Sequence, residues 1–287
     1  MKCLSCGATM AAYVTKKSFA IERCAVCGLM AVMNVPEDLS PFYAAGYFTG
    51  DVSLDGYMDY DQEKSVSRKI YSRYLEVMER EMNNKAPRIL FELGCATGFF
   101  MDIARVRGWT VAGMDISDYA VEKARGRGLN AVVGTLESIV PEPIYGAVVM
   151  QDVIEHVKDP VDILDRAEKM LKPGGILVLT TPDAGSLWAR AWGKRWHAFV
   201  PPQHLFYFSA KNLSRLVEDS GLHVTHIAHH GKWFTVPYIM RLLYSWTGLK
   251  FFSVLAAWTA RINFLQKTAI PINVRDTLFL IARKPLV

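Results

Sequence analysis

No stretch of this sequence reaches the roughly 18 apolar residues that a bilayer-spanning helix requires. The nearest, Trp233 to Leu265, is cut by Arg241, Lys250 and Arg261. That excludes a spanning helix but leaves room for contact with a membrane surface. Blocks of Lys or Arg are also lacking. The 33 basic residues face 28 acidic ones, for a net charge of +5, so a dedicated nucleic-acid surface is not written in the composition. Cysteines number only five. An odd count, without a secretory signal at Met1, argues against a disulfide scaffold and for a reducing, cytoplasmic setting. Internal repeats and low-complexity tracts are missing. What is present is 287 residues, 51% of them hydrophobic, enough for one large α/β domain with small additions, or for two domains.

Four of the cysteines form two pairs, Cys3-x2-Cys6 and Cys24-x2-Cys27, with seventeen residues between the pairs. That spacing reads as a four-cysteine zinc site. Gly7 and Gly28 follow the pairs and supply the positive φ that a tight metal-binding knuckle needs. Tyr13 to Ile21 carries β-type residues and suits a hairpin, so residues 1–34 read as a zinc ribbon. Residues 35–60 hold Tyr43, Tyr47, Phe48, Tyr57 and Tyr60, more aromatics than a simple linker uses. They either cover the next domain's core or form a lid over a ligand.

Residues 61–83 predict a helix, with Val66, Ile70, Tyr74, Met78 and Met82 as its apolar stripe and Pro87 as a stop signal. Strands and helices then alternate. Strands are expected at Arg88–Leu93, Thr110–Met114, Ala131–Val133, Ala147–Met150, Ile176–Thr180, His223–Ala228 and Thr277–Ala282. Helices are expected at Phe99–Arg107, from the Ser117 cap to Arg125, from Asp159-Pro160 to Leu171, and from the Ser209 cap to Ser220. The alternation implies a mostly parallel sheet with helices on both faces. Residues 61–287 would form this domain, with 231–272 inserted before the last strand.

The segment Phe91-Glu92-Leu93-Gly94-Cys95-Ala96-Thr97-Gly98 ends a strand and opens a helix, where backbone N–H groups point at a ligand. Its glycines are spaced Gly-x-x-x-Gly, not the Gly-x-Gly-x-x-Gly of dinucleotide binders. Ala96 stands where pyrophosphate would need glycine. Glu92 would repel a pyrophosphate but suits the cationic amino-acid portion of S-adenosylmethionine (SAM). Asp115, 21 residues after Gly94, ends the second strand, where an acid can accept both ribose hydroxyls.

Glu-Leu-Gly-Cys-Ala-Thr-Gly, Gly-Met-Asp-Ile-Ser, Gln-Asp-Val-Ile-Glu-His-Val and Leu-Lys-Pro-Gly-Gly, in that order over residues 60–230, resemble the signatures of class I SAM-dependent methyltransferases. The resemblance implies a Rossmann-like, seven-stranded, mostly parallel sheet, and it implies roles by position. Glu92, Gly94, Cys95 and Gly98 would hold the methionine part, Asp115 the ribose, and Ile116 the adenine face. Thr135 and Leu136 would lie by the adenine amine, and Gln151 and Val153 would line the floor beside the methyl group. Pro201 to Ser209 is similar to a signature of methyltransferases acting on quinone precursors and sugars, some of which carry an N-terminal four-cysteine ribbon.

A hydroxyl acceptor calls for a general base. His156, after the fourth strand, and His204, after the fifth, are the candidates. Each also reads as a structural hydrogen-bonder holding its loop. His223, His226, His229 and His230 lack a Cys or acid spaced with them as a metal set. The leading expectation is methyl transfer to a small sugar, quinone-like or lipid-linked acceptor. The alternatives are an RNA methyltransferase gripping RNA with the ribbon, a non-catalytic SAM-binding scaffold, and an NAD-dependent oxidoreductase. The first lacks an Asn/Asp-Pro-Pro-aromatic signature, and the last is disfavoured by the glycine spacing. Residues 231–272 predict two helices with one apolar face each, packing on the core or a partner chain, or resting on a membrane surface.

Overall fold

The computed structural model describes residues 2–37, 39, 42, 67–83, 85–262, 264, 265 and 268–286. The aromatic residues Tyr43, Tyr47, Phe48, Tyr57 and Tyr60 of the expected lid lie outside the described residues.

The N-terminal strands are β1 (Met10–Lys16), β2 (Phe19–Cys24) and β3 (Met30–Val32), and the helix α1 (Arg68–Met82) opens the larger unit. There follow β4 (Ile89–Leu93), α2 (Phe99–Val106), β5 (Thr110–Asp115), α3 (Asp118–Gly126), β6 (Asn130–Val133), β7 (Tyr145–Gln151), α4 (Pro160–Met170) and β8 (Leu171–Pro182). The short α5 (Leu187–Trp192), β9 (Phe206–Tyr207), α6 (Ala210–Asp219) and β10 (His223–His229) come next. The insertion consists of β11 (Lys232–Thr235), α7 (Val236–Thr247), α8 (Lys250–Thr259) and β12 (Ala269–Ile272), and β13 (Thr277–Arg283) closes the fold.

The central sheet has seven strands in the order β10-β13-β8-β7-β4-β5-β6. Its five strands from β8 to β6 run parallel, and β13 lies antiparallel against β8 and β10. Side chains alternate between two cores with the period of a pleated strand. Phe91, Val148, Met150, Leu177, Leu179, Leu278 and Leu280 point to one core. Leu90, Ala147, Val149, Ile176, Val178, Phe279 and Ile281 point to the other, under α1 and α2. Both faces are buried, which is why these strands read as continuous apolar runs.

Helix α1 shows where a simple count drifts. Tyr71, Tyr74, Leu75, Met78 and Met82 are buried, while Ile70 is only half-buried and Val66 lies outside the described residues. A strict four-residue spacing rotates about 40° per step around a 3.6-residue helix, so the true contact line mixes steps of three and four. The Ser117, Asp159 and Ser209 caps all form. Ala120 N–H donates to the Ser117 side chain, Val161 and Asp162 N–H donate to Asp159, and Ser209 and Asn212 close a reciprocal capping box.

The ribbon is joined to the main sheet's domain by backbone pairing. Met30 and Ala31 of β3 pair with Tyr207 and Phe206 of β9, so a four-stranded sheet β1-β2-β3-β9 spans both units. Cys3, Met10, Cys24, Leu29 and Ala31 share one apolar core with Phe91, Met150 and Phe208, and the Ser5 hydroxyl donates to the Asn212 carbonyl at the start of α6.

Candidate active site

The carboxyl ends of β4, β5 and β7 meet at one edge of the sheet, where open α/β sheets bind ligands. Glu92, on β4, is 3% exposed, and its Oε1 accepts a hydrogen bond from Gln151 Nε2 at 3.0 Å. The β7 end thereby fixes the direction of the β4 carboxylate. At the β5 end, Asp115 takes Ala96 N–H on Oδ2 at 2.8 Å and Ser117 N–H on Oδ1 at 2.9 Å. The Ile116 amide also acts on this carboxylate. Burial pushes the Asp115 carboxyl up, against the pull of these amides.

The turn between Glu92 and α2 is left-handed at Gly94 (φ 71°), Ala96 (φ 46°) and Gly98 (φ 77°). A Cβ on Gly94 would sit 2.4 Å from Val153 Cγ2, so Val153 closes over the turn and glycine is needed for space as well as for φ. Gly98 has a different reason. A Cβ there would meet Leu129 Cδ1 at 2.3 Å and Ala124 Cβ at 3.1 Å. Its bare face is filled by protein packing. Ala96 and, in the β7 loop, Asp152 (φ 53°) are non-glycine residues in a sparsely populated region, which recurs at ligand-binding turns. The Cys95 side chain is 3% exposed and packs with Met101, Val121 and Leu129. Burial, then the Glu92 and Asp115 charges, push its thiol up; only its backbone belongs to the turn.

Ile116 is 42% exposed beside Asp115, a free apolar face. Thr135 precedes a short 3-10 turn without capping it through its side chain, and Leu136 is buried in the core, so only the Leu136 backbone can meet a ligand.

The two histidines are brought together. Their ring centroids lie 4.7 Å apart, nearly perpendicular. The Nδ1 atoms sit 2.8 Å from the Gln203 carbonyl oxygen for His156 and 2.9 Å from that of Ala198 for His204. A carbonyl can only accept, so each ring carries a proton on Nδ1, which makes Nε2 the basic nitrogen of the neutral form. The loops are tied by Leu205 N–H donating to the Glu155 carbonyl at 2.7 Å. Burial lowers His156 to about 4, partly offset by Asp152 and the Gln203 carbonyl.

Glu155 was not singled out from sequence. It is 1% exposed, with Oε1 3.9 Å from His156 Nε2. An acid beside a candidate base was the signal. Glu155, His156 and His204 offer ligand atoms within 4.8 Å of one another, a donor set a divalent cation could also use. The late histidines form no such set among the described residues. His229 Nε2 contacts Asp183 Oδ2 at 2.6 Å, and His230 packs edge-on against Tyr74 and Phe279.

At the ribbon, the Cys3–Cys27 and Cys6–Cys24 sulfurs are each 3.4 Å apart, all four lie within 4.8 Å, and none is in a disulfide. Tetrahedral zinc with Zn–S near 2.3 Å sets sulfurs about 3.8 Å apart, inside that range. Burial opposes ionisation of Cys24, but the Cys27 and Val26 amides outweigh it and bring the thiol down to about 6.

A profile of the methyltransferase domain matches residues 63–227. The chain belongs to the methyltransferase-domain family. A ubiquinone biosynthesis O-methyltransferase of Bradyrhizobium sp. (strain ORS 278) is 26% identical over 52% of this chain and 67% of its own length. One from Alkalilimnicola ehrlichii is 30% identical over 33% of this chain and 41% of its own length. The chain thus spans about two thirds of the first relative's length and less than half of the second's. Magnesium protoporphyrin IX methyltransferase from Synechocystis PCC 6803, solved with bound SAH, superposes with a TM-score of 0.52 at 11% identity, over 83% of this chain and 97% of that one. That likeness is one of fold. The chain is a SAM-dependent methyltransferase.

Proposed function

We propose that this methyltransferase acts on a hydroxyl of a small acceptor, a sugar, a quinone-like ring or a lipid-linked form of either. The observation that carries the reading is the pair of imidazoles, His156 and His204, each held through Nδ1 by a backbone carbonyl and packed against the other, at the sheet edge that carries Glu92 and Asp115.

In this reading Glu92, oriented by Gln151, and the backbone of the turn from Gly94 to Gly98 hold the methionine portion. Asp115 takes the ribose, and Ile116 packs on the adenine beside the backbone of Thr135 and Leu136. Val153 shapes the floor. SAM supplies an electrophilic methyl whose departure leaves a neutral thioether, so no acid is required. The chain's task is alignment and proton removal. The acceptor's proton goes to Nε2 of His156 or His204, and the Nδ1–H bonds to Gln203 and Ala198 fix the ring tautomer that makes Nε2 the base. Cys3, Cys6, Cys24 and Cys27 hold a structural zinc ion that fixes the ribbon, and through β3 and β9 the loop bearing His204.

The test is transfer of a labelled methyl group to catechol and sugar probes, with S-adenosylhomocysteine affinity measured beside it. His156→Asn or His204→Asn should lower kcat by about a hundredfold or more with that affinity unchanged. Wild type that does not bind S-adenosylhomocysteine refutes the site. Full kcat in both variants refutes the base.

A further inference from the structure

The charge of this chain is unevenly placed. Residues 220–275 contain no Asp or Glu but six Lys and Arg: Lys232, Arg241, Lys250, Arg261, Lys267 and Arg275. The other 27 basic residues share the rest of the chain with all 28 acidic ones. The net positive charge therefore resides in the insertion and its flanks.

The apolar residues of the insertion are also exposed. Phe251 is 67%, Val254 67% and Trp258 56% exposed. Spaced i, i+3 and i+7, they form one stripe along α8. Leu249, in the turn before α8, and Phe264, beyond it, are exposed as well. The opposite face of α8 is turned inward through Ala256 and Thr259. Lys250 and Arg261 are both exposed, one at each end of the stripe. No described helix is long and apolar enough to cross a membrane, so the stripe is built to lie on a surface and not to span one.

Topology puts this element at the active-site edge. Thr277 of β13 pairs with Pro182 at the carboxyl end of β8, and His229 of β10 pairs with Leu278. The insertion therefore leaves and re-enters the sheet on the edge that carries Glu92, Asp115 and His156.

We infer that α8 docks flat on an anionic lipid surface. Phe251, Val254 and Trp258 enter the headgroup–acyl boundary, and Lys250 and Arg261 meet lipid phosphates. The absence of any acid across the whole segment favours an anionic bilayer over a second copy of the chain, whose matching face would be equally positive. The docking surface stands independently of the acceptor reading, and it would set the active-site edge against the membrane.

The experiment is co-sedimentation of the full chain with phosphatidylcholine vesicles, plain or containing about a third phosphatidylglycerol. The intact protein should pellet with the anionic vesicles only, release with added salt, and show a blue shift in tryptophan emission. Phe251→Ser with Trp258→Ser should lower the partition coefficient at least about tenfold. Lys250→Glu with Arg261→Glu should remove the salt-dependent part. Both pairs are exposed, and unchanged S-adenosylhomocysteine binding would verify folding without reference to methyl transfer. Intact protein left in the supernatant overturns the inference, as does equal pelleting of all variants. So does a dimer that the Phe251/Trp258 pair breaks while vesicle binding persists.

Discussion

Acid should destabilise this protein through His156 in a way that one substitution isolates. Its side chain is 17% exposed, and burial brings its pKa from 6.5 to about 4. Below pH 6.5 the unfolded chain takes a proton that the folded imidazole refuses until about pH 4. The unfolded state then binds more protons, so stability is complete above that window and falls as pH drops through it. Between pH 7 and pH 5 the linkage amounts to about 2 kcal/mol, a sizeable share of the roughly 5–15 kcal/mol that holds a domain folded. His156→Asn keeps an N–H for the Gln203 carbonyl and removes the titration. The assay is urea unfolding of wild type and variant at both pH values, with zinc saturating so that ribbon chemistry is common to both. His230, which burial also lowers to about 4, cancels between them. The variant should lose about 2 kcal/mol less than wild type on acidification. Equal losses, or an NMR titration of His156 near its ordinary value, would refute the reasoning.

Gly94→Ala forces a Cβ to 2.4 Å from Val153 Cγ2 at φ 71°. It should cost about 1–3 kcal/mol and abolish S-adenosylhomocysteine binding by calorimetry, and Val153→Ala should restore part of the stability in a double-mutant cycle. Gln151→Ala removes the 3.0 Å bond that orients Glu92 and should weaken that binding about tenfold, since a bond to a charged group is worth about 1.5–3 kcal/mol; unchanged affinity would remove Glu92 from the cofactor site. A strong thiol-competing chelator should lower Tm and change the emission of Trp196, which packs with Ile21, Met30 and Tyr207. Loss of ribbon structure with no change near Trp196 would show the two units to be independent.

The parallel sheet was legible because its signals are local. Apolar runs such as Ile89–Leu93 and Ile176–Thr180 need only their own residues, and Ser117, Asp159 and Ser209 announce their helices. Gly94 and Asp115 were legible because a turn after a strand and an acid at the next strand's end occupy fixed places in this topology. What could not be read depends on contacts distant in sequence. The two-residue strand Phe206–Tyr207 has no periodicity, and its partner Met30–Ala31 lies far up the chain. The reason for glycine at 98 is Leu129, and the partner of His229 is Asp183. The meeting of His156 and His204 required folding two loops onto each other, although each was a candidate alone.

That meeting also bears on what the four-cysteine cluster does for the rest of the fold. The histidines reach each other because Glu155 accepts from the backbone of Leu205 and Phe206, and the next step along that loop is the strand paired to β3. A two-residue strand is too short to hold register by itself. Its register comes from β3, and that of β3 from β2, whose last residue is Cys24. A zinc ion bound by Cys3, Cys6, Cys24 and Cys27 would therefore be the far anchor of the His204 loop. On this argument weakening the ribbon should depress kcat before it depresses S-adenosylhomocysteine affinity, because the proposed cofactor ligands, Glu92 and Asp115, lie on β4 and β5 and the His204 loop does not. A Cys27→Ser variant that lost both together would break the chain of reasoning at β9.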